Sequence, residues 1–288
     1  MIEAGSVPDA APAIGPAALE VSDLSLRFGA VAALDHVSFT VGVGQLFAVI
    51  GPNGAGKTSL FNVLSCIYPP SEGTVRCFGV DLSERRPHQL AHMGIARTFQ
   101  NLGLFPTMSV IDNVLVGRTH LMRWGTLSAG LSLPWSRREE RLHRNAAMEA
   151  VDFAGLAGIA GTPVGALAYG IRKKVELARA IAMEPQLLLL DEPVAGMSQA
   201  ERADVVALVQ AIRDRYTPTV VLVEHDMSTV MALAERIVVL DFGQVIAVGS
   251  PVEIQANPDV INAYLGKPEG LLAELGEGVI GTREDSPQ

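Results

Sequence analysis

Residues 46–64 read LFAVIGPNGAGKTSLFNVL. A continuous apolar run over 46–50 predicts a buried strand. A glycine-rich loop follows, and LFNVLSCIY then continues with helical spacing. The loop GPNGAGKT (51–58) fits the pattern G-x-x-x-x-G-K-[ST]. Glycines let the backbone wrap around phosphates with its N–H groups turned inward, and the following helix adds the positive end of its dipole. Gly51, Pro52, Asn53, Gly54, Ala55, Gly56, Lys57, Thr58 and Ser59 are therefore candidate phosphate-binding residues. Lys57 can reach the outer phosphates, and the Thr58 hydroxyl can bind Mg²⁺.

Such a loop needs an acid on a neighbouring strand. LLLLDE (187–192) supplies it: four apolar residues bury the strand and Asp191 emerges at its carboxyl end, where it can hold Mg²⁺. Glu192, next in line, can polarise an attacking water. VLVEHD (221–226) repeats the arrangement and delivers His225 to the same edge. An Asn-Lys-x-Asp base reader of the GTPase kind is not found.

Strands alternating with helices continue to both sides. LEVSDLSLRF and HVSFTV alternate apolar and polar residues and predict antiparallel strands. GTVRCFGVDL predicts strand with a turn at Gly79, and MGIARTFQ a short strand leading into a loop. SVIDNVLVGRTHLM predicts a helix capped by Ser109, and a second helix is expected from about Ser136. QAERADVVALVQAIRDRY reads as an amphipathic helix, TVVLVEH as a buried strand, MSTVMALAERI as a helix and IVVLDFGQVIAVG as a hairpin. The sum is an α/β sheet with helices on its faces.

Bulk properties narrow the function. The 288 residues are 49% hydrophobic, enough for a well-packed core, and mean hydropathy is +0.29. The net charge of −9 argues against binding nucleic acid through bulk charge. Two cysteines, Cys66 and Cys77, are too few for a disulfide framework and suit a reducing compartment. No apolar run is long enough to span a membrane. The first 18 residues read as a disordered lead rather than a secretory signal, and 267–288 as a loose tail.

LAYGIRKKVELARAIA (167–182) predicts a helix from near Ile171 with no Ser, Thr, Asp or Asn to cap it. Ala168, Tyr169 and Gly170 leave the first N–H groups open, which suits an anion from outside the helix.

The ordered set of loop 51–58, Gln100 after a strand, LAYGI, LLLLDEP and His225 resembles the ATP-binding-cassette (ABC) ATPases, over about residues 19–266. The resemblance implies an α/β P-loop NTPase (RecA-like) core with an N-terminal antiparallel β subdomain and an inserted helical subdomain at about 101–171. It implies ATP and Mg²⁺ as ligands and ATP hydrolysis as the activity. By position, Phe28 matches the aromatic that stacks on adenine. Gln100 matches the loop glutamine that touches Mg²⁺ or the water and senses a membrane subunit. Asp191 matches the Mg²⁺ acid, Glu192 the catalytic carboxylate and His225 the switch histidine on the γ-phosphate. Two cassettes of this family meet head to tail, so Ala168, Tyr169 and Gly170 would face the nucleotide of a partner.

The sequence departs from the usual signature Leu-Ser-Gly-Gly-Gln at Ala168, Tyr169 and Ile171. VAGMS (194–198) stands where Ser-Ala-Leu-Asp is common. Leu-Ala-Tyr-Gly, the insertion at 118–145, VEHDM and NPDVINAYLG are similar to importers of branched-chain, hydrophobic amino acids, and most resemble the first of their two ATPases. The implied partners are membrane permeases, a second cassette ATPase in a homo- or heterodimer and, indirectly, a solute-binding protein. The implied place is the cytoplasmic face of the inner membrane. Other readings are the ATPase of a lipid, export or urea system, or a soluble ATP switch.

Overall fold

The computed structural model describes residues 17–98, 102–122 and 134–265. Its strands are β1 Ala17–Phe28, β2 Val31–Gly42, β3 Leu46–Ile50, β4 Glu72–Cys77, β5 Val80–Asp81, β6 Ile95–Arg97, β7 Leu187–Asp191, β8 Thr219–Val223, β9 Arg236–Asp241 and β10 Gln244–Gly249. Its helices are α1 Lys57–Leu64, α2 Pro87–Leu90, α3 Val110–Val116, α4 Pro134–Phe153, α5 Tyr169–Ala182, α6 Gln199–Tyr216, α7 Met227–Leu233, α8 Pro251–Ala256 and α9 Pro258–Leu265.

One sheet has the order β10-β9-β3-β8-β7-β6 and is parallel except for the β9–β10 hairpin. The other, β2-β1-β4-β5, is antiparallel. The parallel strands read as unbroken apolar runs because both of their faces are buried. Leu46, Ala48 and Ile50 of β3 enter one core, and Phe47 and Val49 the other. β7 divides in the same way, Leu188 and Leu190 against Leu187 and Leu189. Helices α3 to α7 cover the first core, while α1 and the antiparallel sheet cover the second.

Sequence boundaries shift by a few residues. β1 begins at Ala17, two residues before Leu19. α1 stops at Leu64, short of Tyr68, because Cys66 turns left-handed with φ 54°. α3 is capped as anticipated: the Ser109 hydroxyl accepts the Asp112 N–H at 3.2 Å. α5 starts at Tyr169 rather than Ile171, and α7 ends at Leu233 because Arg236 already belongs to β9. Helices α3, α4 and α5 pack against one another. The anticipated lead before Ala17, the tail after Leu265 and residues 123–133 of the 118–145 insertion lie outside the described residues.

Candidate functional site

Strands β3, β8, β7 and β6 are adjacent and parallel, so their carboxyl ends open onto one edge. Ligand sites of open α/β sheets lie at that edge. β3 runs into the Gly51–Lys57 loop, β7 ends at Asp191 with Glu192 after it, and β8 is followed by Glu224 and His225.

The loop is shaped by positions that only glycine fills. Gly51 has φ 150°, and a Cβ there would lie 2.1 Å from the Leu240 carbonyl oxygen. Gly56, with φ 102°, is the N-cap of α1, and a Cβ on it would lie 2.6 Å from the Ala33 carbonyl oxygen. Lys57 is folded inward, its Nζ donating to the carbonyls of Gly51 at 2.6 Å and Pro52 at 3.1 Å. The ammonium is thus held against carbonyls of the loop itself. Thr58 and Ser59 lie in the first turn of α1, Thr58 exposed.

Asp191 is buried and pinned from two sides. Its Oδ2 accepts from Arg97 at 2.8 Å, and its N–H donates to the Thr98 hydroxyl at 3.2 Å. Arg97 also donates to the Ser65 hydroxyl at 2.8 Å and to Asn62 Oδ1 at 3.1 Å, and its guanidinium lies 5.7 Å from the centroid of the Phe61 ring. It therefore joins Asp191 to the helix that follows the glycine-rich loop. Glu192 sits at φ 45°, an unusual backbone for a residue with a Cβ, and its N–H donates to the Val223 carbonyl at 2.9 Å. Its carboxylate lies 3.8 Å from His225 Nδ1. Glu224, fully buried, stands between the two loops. Burial pushes its carboxyl up from the usual range, against backbone N–H groups that pull it down.

The start of α5 corrects one expectation. Ala168 is its N-cap and provides no side-chain bond, as anticipated. The N–H groups are not all open, however. The Glu201 carboxylate, from the first turn of α6, comes so close to Gly170 that a Cβ there would lie 2.8 Å from its Oε1. The same carboxylate accepts from the Ser198 hydroxyl at 2.7 Å, closing a capping box at α6. Bonds from Ser198, followed by the Gly170 amide, hold the Glu201 carboxyl below the usual range. Ser198 is the N-cap of α6. Tyr169 packs partly buried against the larger core, so its ring is tied to the fold.

Phe28 closes β1, is half exposed and meets Tyr68 edge-on with ring centroids 5.2 Å apart. Gln100 lies outside the described residues. Of the remaining residues read from the sequence, the topology gathers the 51–59 loop, Asp191, Glu192 and His225 at one edge. Sequence reasoning missed Arg97, Glu201 and Glu224. A signal existed for two of them: Arg97 is a charge inside a short apolar strand, and Glu224 a charge closing another.

Two family matches agree with this geometry. The family described as ABC transporter matches residues 34–195, and the one described as branched-chain amino acid ATP-binding cassette transporter matches 244–270. The chain is 40% identical over 249 residues to the high-affinity branched-chain amino acid transport ATP-binding protein BraF of Pseudomonas aeruginosa, which covers 86% of this chain and 98% of BraF. It is 38% identical to LivG of Escherichia coli, described in the same words, with the same coverage. The crystal structure of a nucleotide-free ATP-binding cassette from an ABC transporter superposes with TM-score 0.74 at 30% identity, covering 87% of this chain and all of that one. The ADP form of an ATP-binding cassette also gives 0.74, at 29% identity, covering 87% of this chain and 99% of that one. With a family match over more than half its length and a phosphate loop, acid pair and histidine gathered at one sheet edge, the chain belongs to the ATPases of the ATP-binding-cassette transporters, which bind and hydrolyse ATP.

Proposed function

We propose that this chain is the ATP-hydrolysing subunit of an importer for branched-chain or similar hydrophobic amino acids. One observation carries the solute class: the likeness to BraF spans 98% of that protein, and a separate branched-chain family match continues through residues 244–270.

At the site, the backbone N–H groups of the 51–59 loop, Pro52 excepted, take the phosphates. Lys57 exchanges its two carbonyl partners for phosphate oxygens, and Phe28 stacks on the adenine. Glu192 orients the attacking water for in-line displacement, and His225 steadies the γ-phosphate. Thr58, Asp191 and Gln100 would hold a Mg²⁺ ion, which neutralises charge on the phosphates when bound. The donor set fits that ion. Among the described residues no group of three or more His, Cys, Asp or Glu is gathered for a metal. Mg²⁺ keeps its waters and takes only one or two carboxylates plus substrate phosphates. Ala168, Tyr169 and Gly170 face the nucleotide of a second cassette subunit.

A cavity of about 380 Å³ supports a permease contact. It lies between the end of α1, β6 and helices α3 and α5, and is lined by Ile67, Leu90, Phe105, Val116 and His120 among others. Arg97, three residues before Gln100, also lines it, so a docked segment would touch the strand that leads to the site. Among the described residues no helix is long and apolar enough to cross a membrane. The reading puts the chain peripherally, on the cytoplasmic face of permease subunits.

The test is uptake. The chain would be reconstituted with its co-purifying permeases, second ATPase and binding protein in proteoliposomes, and labelled leucine, isoleucine and valine offered with Mg-ATP. ATP-dependent accumulation that is lost in Glu192→Gln supports the reading. ATP turnover without amino-acid uptake sinks it and favours a lipid, export or urea system.

A further inference from the structure

Pairing of β7 with β8 ends at Asp191 and Val223. Beyond that point lie the two loops that carry Glu192 and His225. One bond, from the Glu192 N–H to the Val223 carbonyl, continues between them. Glu224 then takes over. Its Oε1 accepts the Val194 N–H at 3.0 Å, and its Oε2 accepts the N–H groups of His225 at 3.1 Å and Asp226 at 3.4 Å. Val194 follows Glu192 by two residues and is itself buried. One carboxylate therefore fastens both loops at once.

The chemistry of these three bonds is specific. Each partner is a backbone donor, and both oxygens of Glu224 act as acceptors. A carboxylate offers acceptor sites on both oxygens, whereas an amide of the same shape presents a donor NH₂ on one side. Glutamine would turn that NH₂ against a backbone N–H in a site without water access. The tether also supports an unusual backbone. A left-handed residue such as Glu192 persists only where its surroundings over-determine it.

We propose that Glu224 is a positioning residue for ATP hydrolysis, setting the distance between Glu192 and His225 by accepting N–H bonds from both of their loops. The inference rests on the roles given above to Glu192 and His225. Glu224 acts through the loops it joins, and its Oε2 also lies 3.8 Å from the His225 Nδ1. The Glu192 carboxylate and the imidazole stand 3.8 Å apart in this arrangement, close enough to share one water and one phosphate oxygen.

The experiment compares the full chain with Glu224→Gln and Glu224→Asp, by amide hydrogen exchange and by ATPase kinetics. Exchange at Val194, His225 and Asp226 should speed up about ten-fold or more in Glu224→Gln, with amides of 53–58 unchanged. The value of kcat should fall about ten-fold or more while KM for ATP stays within about three-fold. Glu224→Asp, shorter but still an acceptor, should fall between. Wild-type kcat in Glu224→Gln overturns the proposal. So does parallel loss of kcat, KM and protection throughout the chain, which marks a merely structural residue. If Glu224→Gln does not fold, the kcat-against-KM split in Glu224→Asp decides the matter in the same way. Glu192→Gln and His225→Ala are run beside them. Unchanged kcat in those two would refute their assigned roles, while the three amides would still report whether Glu224 is the tether.

Discussion

Replacing Arg97 by methionine should destabilise the protein strongly, because it strands a buried carboxylate. The Arg97 and Asp191 side chains are 9% and 11% exposed and their charged atoms are 2.8 Å apart. Exposed ion pairs are worth about 0–1 kcal/mol. Removing one partner of a buried pair costs about 3–5 kcal/mol, because the other charge is left without compensation. Methionine keeps the apolar stem but loses the guanidinium that lies over the Phe61 ring, a smaller loss than that of the charge. Arg97 also holds Ser65 and Asn62, which places the expected loss within that range rather than below it. At about 2–4 °C per kcal/mol for a chain of this size, the midpoint should drop by about 10 °C. The assay is urea and thermal unfolding of the full chain, in a double-mutant cycle with Asp191→Asn. Replacing both charges removes the stranded carboxylate, so the double variant should regain most of the loss. Arg97→Lys should recover part of it, since an ammonium can pair with Asp191 but lacks the planar fork that also reaches Ser65 and Asn62. Mg-ATP should stabilise Arg97→Met more than wild type, by returning positive charge to Asp191. A methionine variant with the wild-type midpoint, or a double variant no better than the single, would refute the reasoning.

Gly51→Ala should cost about 1–3 kcal/mol and weaken nucleotide binding, because its Cβ would meet the fixed Leu240 carbonyl rather than a movable side chain. Titration with a fluorescent ATP analogue, read beside the unfolding midpoint, checks it. Ser198→Ala removes the N-cap of α6 and should cost about 1 kcal/mol, or about 2–4 °C in the midpoint; an unchanged midpoint would count against the cap. Burial pushes the Cys66 thiol up to about 11 and the Cys77 thiol up to about 12. Both stay protonated at pH 8, so a thiol reagent should react slowly with the native chain and fast in denaturant. The unfolded thiols ionise near pH 8.5 and the folded ones do not, so stability should fall as pH rises from about 8.5 towards 11. Rapid labelling of native protein at pH 8 would contradict the assigned burial.

The gathered part of the site was legible because periodicity and topology constrain it. A continuous apolar run of five residues, bounded by turn residues, reads as a strand buried on both faces. Parallel strands joined through helices must then open their carboxyl ends on one edge. Gly51–Lys57, Asp191 and His225 could thus be assigned to one place before any coordinates. Boundaries were harder to read where a backbone turn decides them. The left-handed Cys66 that ends α1 has no composition signal, and Tyr169 opens α5 although no side chain caps it.

By itself the sequence determined the order of strands and helices, the phosphate loop and the residue types offered to ATP, since these depend on local spacing and on which residues tolerate a tight turn. Only the tertiary structure decided who touches whom across long separations. Arg97 meets Asp191 from 94 positions away, Glu224 reaches Val194 from 30, and Glu201 comes to the mouth of a helix that looked open. For Arg97 and Glu224 the charged side chain is desolvated by packing, whereas Glu201 stays near the surface in a capping box. In each case the partner is chosen by proximity in the folded chain, which no periodicity along the sequence encodes.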